Sequence, residues 1–165
     1  MKVVHINLDD TYGGAAIACR RHCEAMVRAG IDAKMLVGIK RSSYSFVHMP
    51  KYGLGYYWYY VRQILYQKFI SLIKSKGTYN ILIGSRGVHK MQFVQDADII
   101  YIHWINMGVM SISDITEILK LGKPTVLYMH DMHYITGGCH YSLDCKGYEH
   151  DCSNCQYIKY GILNK

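Results

Sequence analysis

Apolar and polar positions along this chain switch between two periods. Val3-Val4-His5-Ile6-Asn7 is a short β-rich run. From Ala16 the apolar positions recur at helical spacing, through Cys19, Cys23 and Met26, while Arg20, Arg21, Glu24 and Arg28 fall elsewhere on the wheel. Gly30 closes that helix, and Ala33-Lys34-Met35-Leu36-Val37 reads as a second strand. Together they make a βαβ unit of ordinary length, which predicts parallel strands joined by a right-handed crossover.

The middle, from about 41 to 95, is less regular. Tyr56 to Lys74 has a helical pattern, with Gln63, Gln67, Ser71 and Lys74 forming a polar stripe among Trp58, Val61, Ile64, Leu65, Phe69, Leu72 and Ile73. Residues 81–94 read as a strand or a loop. Regularity returns with Asp98-Ile-Ile-Tyr-Ile-His103, a buried strand, and a loop through Trp104, Asn106 and Gly108. A helix should start at Ser113 or Asp114, either of which can cap it, with Glu117 three residues after Asp114 as in a capping box. Gly122 and Pro124 end it, and Thr125 to Met129 reads as a further buried strand. Strands alternating with helices predict an α/β domain, a mostly parallel sheet with helices on both faces.

Length and composition narrow this picture. The 165 residues suffice for one domain, 1–165, and leave no room for a second of ordinary size. Half the residues are apolar and only 2 are proline, which indicates a globular chain. The net charge of +7 favours anionic partners, but no block of consecutive Lys and Arg marks a nucleic-acid arm. Its first residues turn acidic at Asp9-Asp10 after too short an apolar run for a signal peptide, so a first strand in a cytoplasmic protein is expected. Six cysteines there suggest thiols or metal ligands before disulfides. Cys19 and Cys23 sit in the helical stripe and read as space-filling.

The candidate chemistry collects at strand ends. Thr11-Tyr12-Gly13-Gly14 lies between the first strand and its helix, where glycines let a phosphate approach the backbone and the helix N-terminus offers unpaired N–H groups. The same stretch is equally well a tight turn without a ligand. His5 and Asn7, then His103, then His130 and Asp131, all fall at or near predicted carboxyl ends, so a parallel sheet brings them to one edge. His130 is suited to a sugar hydroxyl or to proton transfer, with Asp131 either orienting it or capping the next segment. Further on, Cys139, Cys145, Cys152 and Cys155 have the spacing C-x5-C and C-x2-C in a glycine-bearing loop, 139–155. Four thiolates there would close a tetrahedral structural zinc site. Two disulfides, free thiols, or mixed ligation using His140 or His150 are the other readings. Tyr56, Tyr57, Trp58, Tyr59 and Tyr60, with Arg62, Lys68, Lys74 and Lys76 nearby, read as a packed helix or as an amphipathic element on an anionic membrane.

Three segments together carry a resemblance: Lys2-Val-Val-His-Ile-Asn7 with Gly13-Gly14, Asp98-Ile-Ile-Tyr-Ile-His-Trp-Ile-Asn106, and His130-Asp-Met-His-Tyr-Ile-Thr-Gly-Gly-Cys-His-Tyr141 with its trailing Cys-x2-Cys. They resemble the amino-terminal domain of bacterial family-four retaining glycosyltransferases of GT-B fold, of the colanic-acid and surface-polysaccharide type. That resemblance implies a Rossmann-like domain holding most of the acceptor site, with a second domain binding the nucleotide-sugar donor. It implies that Gly13 and Gly14 lie against the donor pyrophosphate and that His130 contacts the transferred sugar, with His103 and Asn106 at the same edge. Retention in the family is ascribed to front-face internal return without an assigned protein nucleophile, and no catalytic metal is expected. His133 stands where the family usually has a tryptophan. The chain reaches Lys165 without the donor domain, so we expect an enzyme part inactive alone, completed by a complementing carboxyl-terminal domain. A glycan or lipid-linked acceptor would suit the cytoplasm or the inner face of the membrane. The reading from another class is a stand-alone zinc-stabilised module that binds a protein or a membrane. Nucleic acid is not an expected partner.

Overall fold

The computed structural model describes residues 1–50, 55–73, 79–82, 87–152, 155, 157 and 158. The side chains of residues 55–60 and 63, and all of Lys74, Lys76, Ser153 and Asn154, lie outside the described residues. So do the aromatic cluster Tyr56–Tyr60 as a surface and the two inner positions of the Cys152–Cys155 knuckle. The chain divides into two compact units, residues 1–52 with 82–130, and residues 53–81 with 131–165.

The first unit is an α/β layer. Its strands are β1 (Lys2–Asp9), β2 (Asp32–Ile39), β3 (Val47–His48), β4 (Ile99–Ile102) and β5 (Thr125–Leu127). They form one parallel sheet in the order β3-β2-β1-β4-β5, which is the order of a doubly wound dinucleotide-type fold. Helix α1 (Gly14–Arg28) links β1 to β2 and ends as its sequence predicts. Gly30 takes φ +79°, its N–H donates to the Val27 carbonyl and Ile31 N–H to that of Met26, so two orphan carbonyls are satisfied in a Schellman arrangement. Cys19 and Cys23 fill the core as expected, packed with Val3, Ala33, Met35, Val37 and Val47. Burial keeps both thiols protonated, Cys23 pushed up to about 12.

Three expectations change here. The strand β3 lies in the irregular middle, too short for a period to show, while residues 88–90 and α3 (Gln92–Gln95) are helical turns rather than a strand. Helix α4 (Ile112–Leu119) is capped by Ser111, not by Ser113 or Asp114, and the box is closed by Asp114 in place of Glu117. Asp114 accepts from the N–H and the hydroxyl of Ser111, each at 2.9 Å, and its own N–H donates to Ser111 Oγ. The shorter carboxylate reaches back as well, so the box closes three residues earlier. Finally, Thr125–Met129 is not a buried strand: Val126, Leu127, Tyr128 and Met129 are exposed, and among the described residues β5 stands at the sheet edge, paired with β4.

In the second unit, α2 (Gly55–Ile73) realises the helix read from Tyr56 to Lys74. Tyr66, Ile70 and Ile73 form its buried face, packed with Tyr79 and Ile158. Its other described residues include two short helical turns, His133–Ile135 and Gly147–Glu149. Among the described residues no helix is long and apolar enough to cross a membrane.

Candidate functional site

The first unit gathers its polar groups where the strand order reverses, between β1 and β4. Parallel register places His5 opposite Tyr101, and the alternation of a strand then puts Tyr101 and His103 on one face. β4 and β5 pair Ile102 with Leu127, so the next residues, His103 and Tyr128, meet with their rings stacked at 4.9 Å. His130 follows two residues on and stacks on His103 at 5.2 Å. Period-2 placement on three adjacent strands thus builds one aromatic line, from the core at His5 to half-buried His130.

Hydrogen bonds run along that line. His5 Nδ1 lies 3.0 Å from His103 Nε2, and His103 Nδ1 lies 2.9 Å from His130 Nε2. At the inner end, His5 Nε2 faces Met26 Sδ of α1 at 3.5 Å. Both inner rings are uncharged at neutral pH. Burial, and then the neighbouring His22, pulls His5 down to about 3. Burial, followed by His5, His130 and His22, does the same to His103. Cys19 adds its sulfur from α1: ligand atoms of His5, Cys19 and His103 lie within 4.8 Å of one another and could hold a metal ion. Sequence reading treated Cys19 only as packing, since helical spacing does not reveal which strand side chain it meets.

The loop after β1 is shaped by two carboxylates that motif reading passed over. Asp9 Oδ1 accepts from the N–H groups of Thr11 (2.8 Å) and Tyr12 (2.9 Å), and Asp9 Oδ2 accepts from Arg41 Nε at 2.7 Å. Burial pushes its carboxyl up, but the Arg41 hydrogen bond and the two N–H groups outweigh this and hold it below its ordinary range. Asp10 accepts from the backbone N–H of Arg41 and of Ser42. Gly13 then sits at the α1 N-cap with φ +93°, and no side chain caps the helix. A Cβ added at Gly13 or Gly14 would have nothing within 4 Å, so the space beside both glycines is open.

Past β4, Asn7 locks the exit of the chain. Its Oδ1 accepts from Trp104 N–H at 2.9 Å and its Nδ2 donates to the Asp9 carbonyl. The following turn needs left-handed backbone at Met107 (φ +59°) and Gly108 (φ +79°). Asn106, at 1% exposure, is held there with Oδ1 unpaired among the described residues. A buried acceptor without a donor is uncommon and marks a place for a ligand or a water. Gly13, Gly14, His103, Asn106 and His130 therefore all belong to the first unit.

Asp131 belongs to the second. Its Oδ2 accepts from His140 Nδ1, and its Oδ1 accepts from His133 N–H at 2.9 Å. Asn80 Nδ2 donates to His140 Nε2 at 2.7 Å, and the Tyr66 hydroxyl donates to Asn80 Oδ1 and to the Ile81 carbonyl. The histidine that Asp131 orients here is thus His140, in a buried and well-satisfied network. Asn80 and Tyr66 gave no sequence signal, because Asn80 meets His140 60 residues on and Tyr66 meets Asn80 and Ile81 14 and 15 residues on, beyond any local pattern. His133 stacks on His140 at 5.2 Å.

The cysteine loop is anchored on the same unit. Gly138 has φ +133°, and a Cβ there would lie 2.6 Å from the Asn80 carbonyl and from the Tyr79 ring. That close approach lets Asn80 N–H donate to the Gly138 carbonyl at 2.9 Å. All six cysteines are free thiols. The Cys139 thiol is pushed up to about 11, by burial first and then by Cys155, Cys145 and Cys152 around it. Gly147 N–H donates to Cys145 Sγ at 3.4 Å. Among the described residues the ligand atoms that come together within 4.8 Å are those of His5, Cys19 and His103, and the four cysteines expected to close a zinc site do not form such a group.

No family model, no characterised protein and no solved structure matches this chain.

Proposed function

We propose that this chain is the acceptor-side part of a retaining glycosyltransferase. It would work with a nucleotide-sugar donor held by a second domain. The observation that supports the reading is the His103–His130 contact at the carboxyl ends of β4 and β5, on the parallel sheet whose first strand leads into the open Gly13-Gly14 turn. Ligands of open α/β sheets bind at that crevice. Uncapped N–H groups at α1 suit a pyrophosphate. A histidine ring suits a sugar hydroxyl, and positioning is what such a transfer demands of this half.

The Cys139, Cys145, Cys152 and Cys155 set is best read as a structural zinc site, which would supply a closed tetrahedral staple to a loop with little core of its own. An acceptor that is a glycan or is lipid-linked, in surface polysaccharide synthesis, fits a protein at the inner face of the membrane. The exposed Val61, Ile64, Leu65 and Leu72 of α2, with Arg62 and Lys68, favour peripheral contact with anionic lipid. The same surface supports the second reading, a zinc-stabilised binding module.

Calorimetric titration of nucleotide-sugars into the chain supplemented with a donor domain separates the two. Binding and transfer that need both parts support the enzyme. Vesicle binding without any nucleotide-sugar binding supports the module.

A further inference from the structure

Helix α1 brings an unusual amount of nitrogen and sulfur to the sheet beneath it. Its Met26 Sδ lies 3.5 Å from His5 Nε2, and the His22 ring stands edge-on to His5 at 4.9 Å. His22 Nδ1 is buried without a hydrogen-bond partner among the described residues. On the sheet, His5 Nδ1 and His103 Nε2 face each other at 3.0 Å. Cys19 completes a triangle, since one ligand atom from each of His5, Cys19 and His103 lies within 4.8 Å of the other two. These residues are 0–1% exposed, so bulk solvent does not reach the group.

Geometry and charge select the ion. Two imidazole nitrogens about 2 Å from a metal at a trigonal angle stand about 3.5 Å apart, so the facing pair needs to open by only about half an ångström. Neutral imidazoles ligate through their lone pairs, and burial keeps both rings neutral, each pulled down to about 3. The Cys19 thiol, pushed well up by burial first and then by Cys23, holds its proton until a cation replaces it. On two imidazoles and one thiolate a monovalent ion leaves no net charge, whereas a divalent ion leaves one positive charge buried. A soft monovalent ion that accepts a trigonal donor set is copper(I).

We propose that His5 Nδ1, Cys19 Sγ and His103 Nε2 form a buried trigonal copper(I) site that pins α1 to β1 and β4. Binding breaks the Cys19 S–H bond and forms a copper–sulfur bond; the proton leaves to solvent and the copper stays monovalent throughout. Each ring keeps its second contact on its other nitrogen, His5 Nε2 with Met26 Sδ and His103 Nδ1 with His130 Nε2 at 2.9 Å, as partners that orient ligating histidines do. The ion so held is a staple, away from solvent. The site is independent of the glycosyltransferase reading and of the cysteine loop, whose donors are all sulfur.

The test is to strip the ¹⁵N-histidine-labelled chain with a chelator in urea and refold it anaerobically with saturating copper(I), supplied as its acetonitrile complex, so that burial does not bar entry. Copper(I) is diamagnetic, so long-range proton–nitrogen spectra read each ring directly. The expected result is that His5 Nδ1 and His103 Nε2 move on loading while the nitrogens of His133 and His140 stay in place. Cys19→Ala, with folding verified by amide dispersion, is expected to bind one equivalent of copper fewer after gel filtration. Cys145→Ser is expected to leave the His5 and His103 shifts intact. Unmoved His5 and His103 nitrogens in the native sequence would overturn the proposal without recourse to any variant. So would an unchanged copper count in Cys19→Ala, or zinc that moves the same two nitrogens and resists displacement by copper(I).

Discussion

At the scale of single residues, the two inner histidines make stability depend on pH. His5 and His103 are pulled by burial from their ordinary value of 6.5 down to about 3, so the unfolded chain binds protons that the folded chain refuses. Their contribution is complete above pH 6.5 and is lost as pH falls toward 3. Between pH 7.5 and 5.5 the pair should cost about 2–3 kcal/mol, from about 1.4 kcal/mol per unit per group. Urea unfolding at the two pH values measures it, and an unchanged midpoint would exclude two buried neutral rings. The glycines separate fold from function. Gly138→Ala drives a Cβ to 2.6 Å from the Asn80 carbonyl at φ +133° and should destabilise by about 1–3 kcal/mol. Gly14→Ala meets nothing within 4 Å at a helical position, so it should leave the melting temperature unchanged or raise it while weakening donor binding. The sequence exposed these glycines as a class, but which of them opposes a backbone depends on Tyr79 and Asn80, whose approach no local pattern encodes.

At the scale of elements, periodicity located α1, α2, β1, β2 and β4, because each has a buried face long enough to repeat. It failed at β3, which has only Val47 and His48, and at β5, where an apolar run reads as buried although the strand is a sheet edge. It also misplaced the start of α4, since Ser111 and Ser113 are both competent caps and the choice lies in backbone geometry at Ser111. Ser111→Ala should cost about 1 kcal/mol in thermal or chemical unfolding, and Ser113→Ala far less. The candidate site was legible to the extent that it rests on strand ends, as at His103 and His130. The partnership of Asp131 with His140 was not, because a carboxylate following a histidine in sequence says nothing about which ring it meets. In the cysteine loop, zinc acts as the staple in our reading, so chelation or Cys152→Ser should lower the melting temperature and release one equivalent of zinc. An unchanged melting curve in chelator would return the loop to free thiols.

At the scale of the whole molecule, charge, surface and site point the same way. A net charge of +7 and the exposed apolar positions of α2 suit an anionic membrane, while the open end of the parallel sheet suits a ligand that is part phosphate and part sugar. In the reading proposed above, each half of that ligand has its own place: the open turn at Gly13-Gly14 for the phosphates, and His130 for a sugar hydroxyl. The most direct test of the central claim is sugar transfer by the chain together with a donor domain, comparing the native sequence with His130→Ala. The account predicts transfer that requires both parts and falls about 100-fold or more in the variant, as loss of a group acting on the transition state implies. Transfer unaffected by His130→Ala, or none with any nucleotide-sugar, would contradict it.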